Sequence, residues 1–260
     1  MRPLVWFRSD LRTTDNTALF EACRAATEGV VAVYTITPDQ WLEHDWAPIK
    51  VDFILRTLRD LSATLADLDI PLKVLHLSRF ADAPAALLKL VAACRCDALH
   101  FNDEYEINER RRDDAVRSAF ASANIAVHAH TDQVLIQPGT LRTTEGRWYT
   151  VYTPFKRAAL ALLQRQNGIR VLPSPAAQRP TTLSPDPIPD SLPEFQGLRR
   201  PDLWPAGERA AAQRLHTFSA SILFDYHERR DTPSLGGTST LSPYLAIGSC
   251  LLYTSPSPRV

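Results

Sequence analysis

"PLVWFRSDLRTTDN", residues 3–16, joins an apolar run to a charged turn and then to the start of a helical pattern. The first five residues have the β-branched and aromatic composition of a buried strand. The polar residues Thr13, Thr14, Asp15 and Asn16 come next, and we expect an Asp or Thr side chain to cap the following helix. No GxGxxG follows this strand, and no GxxxxGK(S/T) occurs in the chain. The stretch therefore predicts a strand-turn-helix unit without an ordinary dinucleotide or P-loop site at the turn.

The same unit recurs through the first half of the chain. Further strand patterns are VVAVYTI (30–36), PLKVLHL (71–77), ALHFN (98–102) and IAVHAHT (125–131). Helical patterns lie near residues 16–27, 48–68, 81–95 and 108–122. This alternation predicts a parallel sheet covered on both faces, with ligands at the carboxyl ends of the strands. The predicted fold class is α/β, with a Rossmann-like five-stranded parallel sheet and flanking helices over residues 1–134.

The second half of the chain has a different organisation. Residues 135–205 form a connecting segment, in which proline recurs at nearly every third or fourth position from residue 172 onward. Proline fixes φ and lacks a backbone donor, so this part is predicted to be a long linker that wraps a surface. The Ala-rich stretch AGERAAAQRLHTFSASILFDYHERRD (206–231) then predicts the start of an all-helical domain over residues 206–249.

Composition limits the classes of function. Lys+Arg and Asp+Glu both total 29, so the net charge of +0 gives no global attraction to polyanions, and any nucleic acid must meet a local basic patch. Four cysteines without paired-ligand spacing predict buried thiols, and seven histidines without HExxH predict no metal site. The sequence contains no signal-peptide pattern and no apolar run of membrane-spanning length, so we expect a cytoplasmic protein.

Several motifs occur in order along the chain. They are Trp6-Phe7-Arg8-x-Asp10-Leu11-Arg12-x-x-Asp15-Asn16, Gln40-Trp41-x-x-His44, Tyr105-Glu106-x-Asn108-Glu109-Arg110-x-Arg112-Asp113, Thr153-Pro154-Phe155-Lys156, Arg230-Asp231-x-Pro233 and Gly237-Thr238-Ser239-x-Leu241-Ser242. Together they resemble the DNA photolyase and cryptochrome family over nearly the whole chain up to Gly248. Within that family, the bacterial class I cyclobutane pyrimidine dimer photolyases are the most similar.

This resemblance implies a light-dependent repair enzyme. Reduced FAD would split pyrimidine dimers in UV-damaged DNA by electron transfer, in a monomer with no obligate protein partner and no membrane association. The alternative is a cryptochrome-type blue-light photoreceptor without repair activity, which differs mainly in the C-terminal part of the family. A third possibility is a stand-alone α/β binding domain.

Asn108 and Glu109 have two interpretations. As a helix start, Asn caps the helix and Glu meets the positive end of the helix dipole. The resemblance implies instead that Asn108, Glu109 and His44 bind an antenna pterin, 5,10-methenyltetrahydrofolate, with a deazaflavin as the other candidate. An amide and a carboxylate can pair with the donor-acceptor edge of a pterin ring.

The stretch LGGTSTLSP (235–243) predicts an anion site, because flexible glycines, hydroxyl groups and a helix start come together. Ser242 is expected at the N-cap, with Pro243 at the first helical position. An ordinary glycine turn with a capped helix is the other interpretation. The resemblance implies that FAD, through its diphosphate, is bound by Tyr226, Thr238, Ser239, Thr240, Leu241 and Ser242.

The last ten residues before Val260, CLLYTSPSPR, match one reading frame of a transposase adapter that is used to build sequencing libraries. We expect residues 250–260 to be adapter read-through and the family's sequence to be truncated here, a divergent or naturally truncated homologue being the alternative. No catalytic residue is then expected within this chain. Without the remaining part, the helices after the linker would lack partners for their apolar faces. Repair activity would be absent, and flavin binding weak or absent.

Overall fold

A five-stranded sheet forms the centre of the fold in the computed structural model, which describes residues 1–165, 171–232 and 234–250. All strand pairs are parallel, and the strand order is β3-β2-β1-β4-β5. The strands span Pro3–Phe7 (β1), Val31–Ile36 (β2), Leu72–His76 (β3), Ala98–Asn102 (β4) and Ala126–His130 (β5). The order reverses between β1 and β4, which opens a crevice beyond their carboxyl ends. The predicted α/β fold with a five-stranded parallel sheet is confirmed.

The helices include all those that the sequence predicts. Their bounds are Thr17–Ala25 (α1), Pro38–Glu43 (α2), Pro48–Ala66 (α3), Ala83–Cys94 (α4), Ile107–Ser122 (α5), Tyr152–Arg165 (α6), Glu208–Ser221 (α7), Tyr226–Arg229 (α8) and Ser242–Ala246 (α9). The short α2 and the exposed α6 were not predicted. Both α2 and α3 begin at a proline, whose fixed φ suits the first helical position.

The helix after β1 is capped by Asn16, whose side chain accepts a hydrogen bond from the backbone N–H of Leu19 at 3.0 Å. The expected Asp or Thr cap is therefore wrong. Asp15 has a left-handed backbone with φ of 54° and accepts instead from the N–H of Leu172 in the linker at 2.8 Å. Its carboxylate thereby anchors the linker to the turn.

Both faces of the sheet are buried. Val5 and Phe7 of β1 join one apolar cluster with α1 and α3, while Leu4 and Trp6 join a second cluster with α4 and α5. Successive side chains of a strand point to opposite faces, so a strand covered on both faces is apolar at every position. This explains the uninterrupted apolar run that opens the sequence.

The proline-rich segment follows the surface of the sheet domain, as predicted. Its Gln178 N–H donates to Leu68 O at 2.8 Å, close to the end of α3. The Asp186 carboxylate accepts from the N–H of Val74 at 3.0 Å, which satisfies a donor on the free edge of β3. Further along, Phe195 packs edge-on against Trp41 with ring centroids 6.2 Å apart.

The segment after the linker packs against α3. Tyr244 meets Phe53 of α3 edge-on at 5.2 Å, and both belong to the cluster that includes Leu241 and Ile247. The expectation that these helices lack partners for their apolar faces is therefore wrong for the buried side chains, although Phe224 stays 74% exposed. The outer face of α3 supplies the partner.

Gly248 adds a second contact between this segment and the sheet domain. It has φ of +66°, and a Cβ there would lie 2.0 Å from Ser9 O, so the position admits only glycine. Its carbonyl accepts from Arg12 Nη1 at 3.0 Å, while the N–H of Leu11 donates to Ile247 O at 3.1 Å. The chain up to Gly248 is thus fixed to the turn after β1.

Other expectations have mixed outcomes. The cysteines are free thiols, of which Cys96 is half-buried and the other three are buried. Among the described residues, no group of three or more His, Cys, Asp or Glu is placed to hold a metal ion, and no helix is long and apolar enough to cross a membrane. Pro233 and the proposed adapter residues from 251 onward lie outside the described residues. The domain boundaries at 134, 205 and 249 stay predictions.

Candidate functional site

A cluster of buried polar side chains ties the ends of β1 and β4 together. The Asn102 amide nitrogen donates to Asp10 at 2.7 Å and to the Asn16 oxygen at 3.0 Å. The Asp10 carboxylate also accepts from the N–H of Arg8 at 2.7 Å. Burial raises the pKa of Asp10, and the nearby Arg8 charge opposes that rise. Because these groups satisfy one another, the motif residues Asp10 and Asn16 act as scaffold together with Asn102 of β4.

Two arginines and two carboxylates form a second buried network beside this cluster. Arg112 contacts both Glu104 and Asp113 at 2.7 Å, and Arg8 lies 3.5 Å from Asp113. Both guanidinium carbons lie over Trp6, at 4.4 Å for Arg8 and 4.7 Å for Arg112. Burial opposes ionisation of Glu104, but the two arginines prevail and lower its pKa to about 2. The network forms a buried, ion-paired floor for the crevice.

Two of the three predicted antenna residues contact each other close to this network. The His44 Nε2 atom lies 3.1 Å from the Asn108 amide nitrogen, although the two residues are 64 positions apart. The prediction that Asn108 caps a helix is wrong, because α5 begins at Ile107 with Glu106 at the N-cap. Asn108 lies in the first turn, where its side chain reaches His44, the C-cap residue of α2.

Glu109, the third predicted antenna residue, lines a small cavity of about 40 Å³. Burial raises the pKa of this carboxyl. Arg8, Arg112 and Glu104 also line the cavity, which is completed by Ser9, Tyr34, Thr35, Thr37, Trp41, Trp46 and Phe80. Sequence reasoning missed Trp46, which follows the Gln40-Trp41-x-x-His44 motif closely and stacks on Trp41 at 4.9 Å.

A larger pocket, of about 660 Å³, lies between α7, the end of α3 and residues 238–240. Thr238, Ser239 and Thr240 line it together with Arg209 and Arg214 of α7. Arg214 donates to Thr240 Oγ1 and to Leu203 O, the second at 2.5 Å. Apolar surface in the wall comes from Phe218, Ile222 and Tyr244. The pocket thus combines hydroxyl donors, two guanidinium groups and aromatic surface.

The other predicted FAD residues differ in position. Tyr226 packs edge-on against the pocket residue Phe218 at 5.7 Å. Leu241 is 3% exposed in the apolar cluster, so its side chain does not line the pocket. Ser242 is exposed and is the first residue of α9, not its cap. The N-cap is Leu241, without a side-chain hydrogen bond, because the helix begins one residue earlier than expected.

Sequence reasoning also missed Arg209 and Arg214, although their spacing carries a signal. Arg209, Gln213 and Thr217 recur every four residues, and Arg214 lies beside them on the same side of the helix. This polar stripe on α7 faces the pocket, whereas the prediction considered only Tyr226 and the glycine-containing stretch, which both follow α7.

Comparison with known proteins agrees with this architecture. The DNA photolyase family model matches residues 3–178. The deoxyribodipyrimidine photo-lyase of Vibrio cholerae is 37% identical, over 94% of this chain and 52% of its own length. The crystal structure of a bacterial class III photolyase from Agrobacterium tumefaciens has a TM-score of 0.77 and 25% identity, covering 96% of this chain and 51% of that one.

An archaeal photolyase from Sulfolobus tokodaii, crystallised with two FAD molecules, shares the fold with a TM-score of 0.74 and 23% identity, covering 98% of this chain and 54% of that one. The chain therefore spans about half the length of these relatives. Since the family model matches more than half of the chain, this chain belongs to the DNA photolyase family.

Proposed function

We propose that this protein acts in light-dependent DNA repair, as a deoxyribodipyrimidine photo-lyase that splits cyclobutane pyrimidine dimers in UV-damaged DNA. Family membership supports the reaction class. The observation that carries the proposal for this chain is the pocket in which Arg209, Arg214 and residues 238–240 converge. No residue of the chain is assigned a catalytic role. The chain contributes a cofactor site and an antenna site.

The pocket residues fit FAD. The pocket volume of about 660 Å³ is within the range of cofactor pockets. Guanidinium groups and hydroxyl donors suit a diphosphate, which needs charge neutralisation and several hydrogen bonds. Thr238, Ser239 and Thr240 would bind the phosphate oxygens, and Arg214 would neutralise their charge. Phe218 and Tyr226 would cover apolar parts of the cofactor.

When bound, reduced FAD supplies the photoexcited electron that opens the cyclobutane ring of the dimer, while protein supplies binding and orientation. A damaged base pair is cheaper to unstack than an intact one, which favours extrusion of the lesion from the duplex. The pocket is lined by Asp60 of α3 and shares no residue with the cavity that Glu109 lines. This separation suits a protein with two distinct chromophore sites.

We propose that the second site binds 5,10-methenyltetrahydrofolate. The Asn108 amide and the Glu109 carboxylate would pair with the pterin edge, and His44 would orient Asn108 through the contact at 3.1 Å. A deazaflavin is the competing ligand. It presents a different edge to the same two side chains.

The direct test is repair of a defined lesion. The gene is amplified from its source DNA across the Gly248 codon, sequenced without a transposase adapter, and its full reading frame is expressed. We expect the protein to remove a thymine dimer from an oligonucleotide under blue or near-ultraviolet light and not in darkness. Photoreduction of flavin without dimer loss would indicate a cryptochrome. Repair restricted to (6-4) photoproducts would refute the proposed substrate.

A further inference from the structure

Lys50, in the first turn of α3, lies beside the cavity that Glu109 lines. Its ammonium nitrogen is 3.4 Å from the centroid of the Trp46 ring. Trp46 is in turn stacked on Trp41 with an angle of 16° between the rings, and both tryptophans line the cavity. Trp41 is fully buried, so it holds the Trp46 ring in place. The Lys50 ammonium is therefore held at the cavity by a cation–π contact.

This ammonium lacks an ion-pair partner within the described part of the chain. Lys73, also half-buried, pairs with Asp186. By contrast, no carboxylate of the described residues lies within 4.0 Å of the Lys50 ammonium. Burial lowers the pKa of Lys50, and the more distant Glu109, Glu104 and Glu106 oppose this shift. A half-buried cation that has lost part of its hydration gains more from an added anion than a fully exposed one does.

The cavity itself cannot contain a chromophore. Its volume of about 40 Å³ is close to the space of one water molecule. A ligand held by Asn108 and Glu109 would therefore lie across the opening, where the Lys50 ammonium sits against the wall residue Trp46.

We propose that Lys50 binds a carboxylate of the glutamyl tail of a folate whose pterin edge is held by Asn108 and Glu109. This inference rests on the proposed folate site. It assigns Lys50 a role in specificity, because a pterin without the tail has no group for the ammonium. The site then selects conjugated folates over simple pterins.

The test compares two ligands and three variants of the chain. 5,10-Methenyltetrahydrofolate carries the glutamyl tail, and 6-methylpterin lacks it. By calorimetric titration, Lys50→Met should weaken binding of the folate about fivefold, the upper end for a partly exposed ion pair, and leave 6-methylpterin unchanged. Lys50→Arg should restore folate binding. Lys89→Met, at an exposed position of α4, is the matched control and should change neither affinity.

The possible results separate the two proposals. If the wild-type chain binds neither ligand, the folate site fails and this inference fails with it. If the folate binds and Lys50→Met leaves its affinity unchanged, only the role of Lys50 is refuted. Equal loss of both ligands in Lys50→Met would also refute it, because the lysine would then act by supporting Trp46.

Discussion

His100 should make the stability of the domain depend on pH. It lies on β4 with 4% of its surface exposed, and its Nδ1 atom is 3.3 Å from Nε2 of His130. Its ring also packs against His128 with centroids 4.5 Å apart. Burial, reinforced by the two neighbouring histidines, lowers the pKa of His100 to about 3. The folded protein therefore keeps this imidazole neutral well below pH 6.

The sign of the effect follows from the unfolded state, where a histidine has a pKa of about 6.5. A group with a lowered pKa in the folded state stabilises fully above pH 6.5, and this contribution is lost as the pH falls toward 3. Between pH 7 and pH 5 the unfolded histidine changes from about a quarter protonated to almost fully protonated. His100 should then reduce the free energy of unfolding by about 2 kcal/mol over this interval.

Urea denaturation followed by circular dichroism at pH 7 and pH 5 measures this change. His100→Phe keeps a ring but removes the titrating group, so it should lose about 2 kcal/mol of the pH dependence of wild type. His76→Phe changes an exposed histidine at the end of β3 and should keep the wild-type dependence. Equal pH dependence in wild type and His100→Phe would refute the reasoning, whatever the absolute stability of the variant.

Two further substitutions test the segment after the linker. Arg214→Met should raise the dissociation constant for FAD about tenfold in equilibrium dialysis, because a charged hydrogen bond to the diphosphate is lost, while Arg110→Met on α5 should not. An unchanged constant would remove Arg214 from the flavin site. Gly248→Ala should cost about 3 kcal/mol or more in urea denaturation, since its Cβ would meet Ser9 O at 2.0 Å. Gly146→Ala, with φ of +76° and open space, should cost about 1 kcal/mol, and equal costs would contradict the contact.

The sequence predicted the sheet because each strand leaves a local signal. Leu4 to Phe7 are all apolar since both faces of β1 are covered, and such a run needs no knowledge of its neighbours. Helix ends were less accurate. Asn16 caps α1, and Leu241 is at the N-cap of α9. A shift of one residue in the start of a helix changes which residue occupies the N-cap.

The sites were predictable only in part. His44 and Asn108 were assigned together through the resemblance, and the structure places the two side chains 3.1 Å apart, while their role in ligand binding stays a prediction. Lys50 and Arg214 were missed, because a basic residue on a helix has the same local pattern whether it faces solvent or a pocket. The contact of Tyr244 with Phe53 was missed for a similar reason. The two residues are far apart in the chain, and the hydrophobic pattern around each of them does not identify the other as its partner.

The helix α3 connects the two proposed chromophore sites. Lys50 lies near its start, against Trp46 of the proposed antenna site, and Asp60, which lines the proposed flavin pocket, follows ten residues later. At 1.5 Å per residue, the two positions are about 15 Å apart along the helix axis. Energy transfer between chromophores depends on their distance and relative orientation, so both sites gain from a common rigid support. Tyr244 on Phe53 fixes the segment with the proposed flavin pocket to α3, and Gly248 against Ser9 fixes it to the turn after β1. If both proposed sites bind their chromophores, the packing of this segment on the α/β domain sets the geometry between the two, which is a role beyond stability.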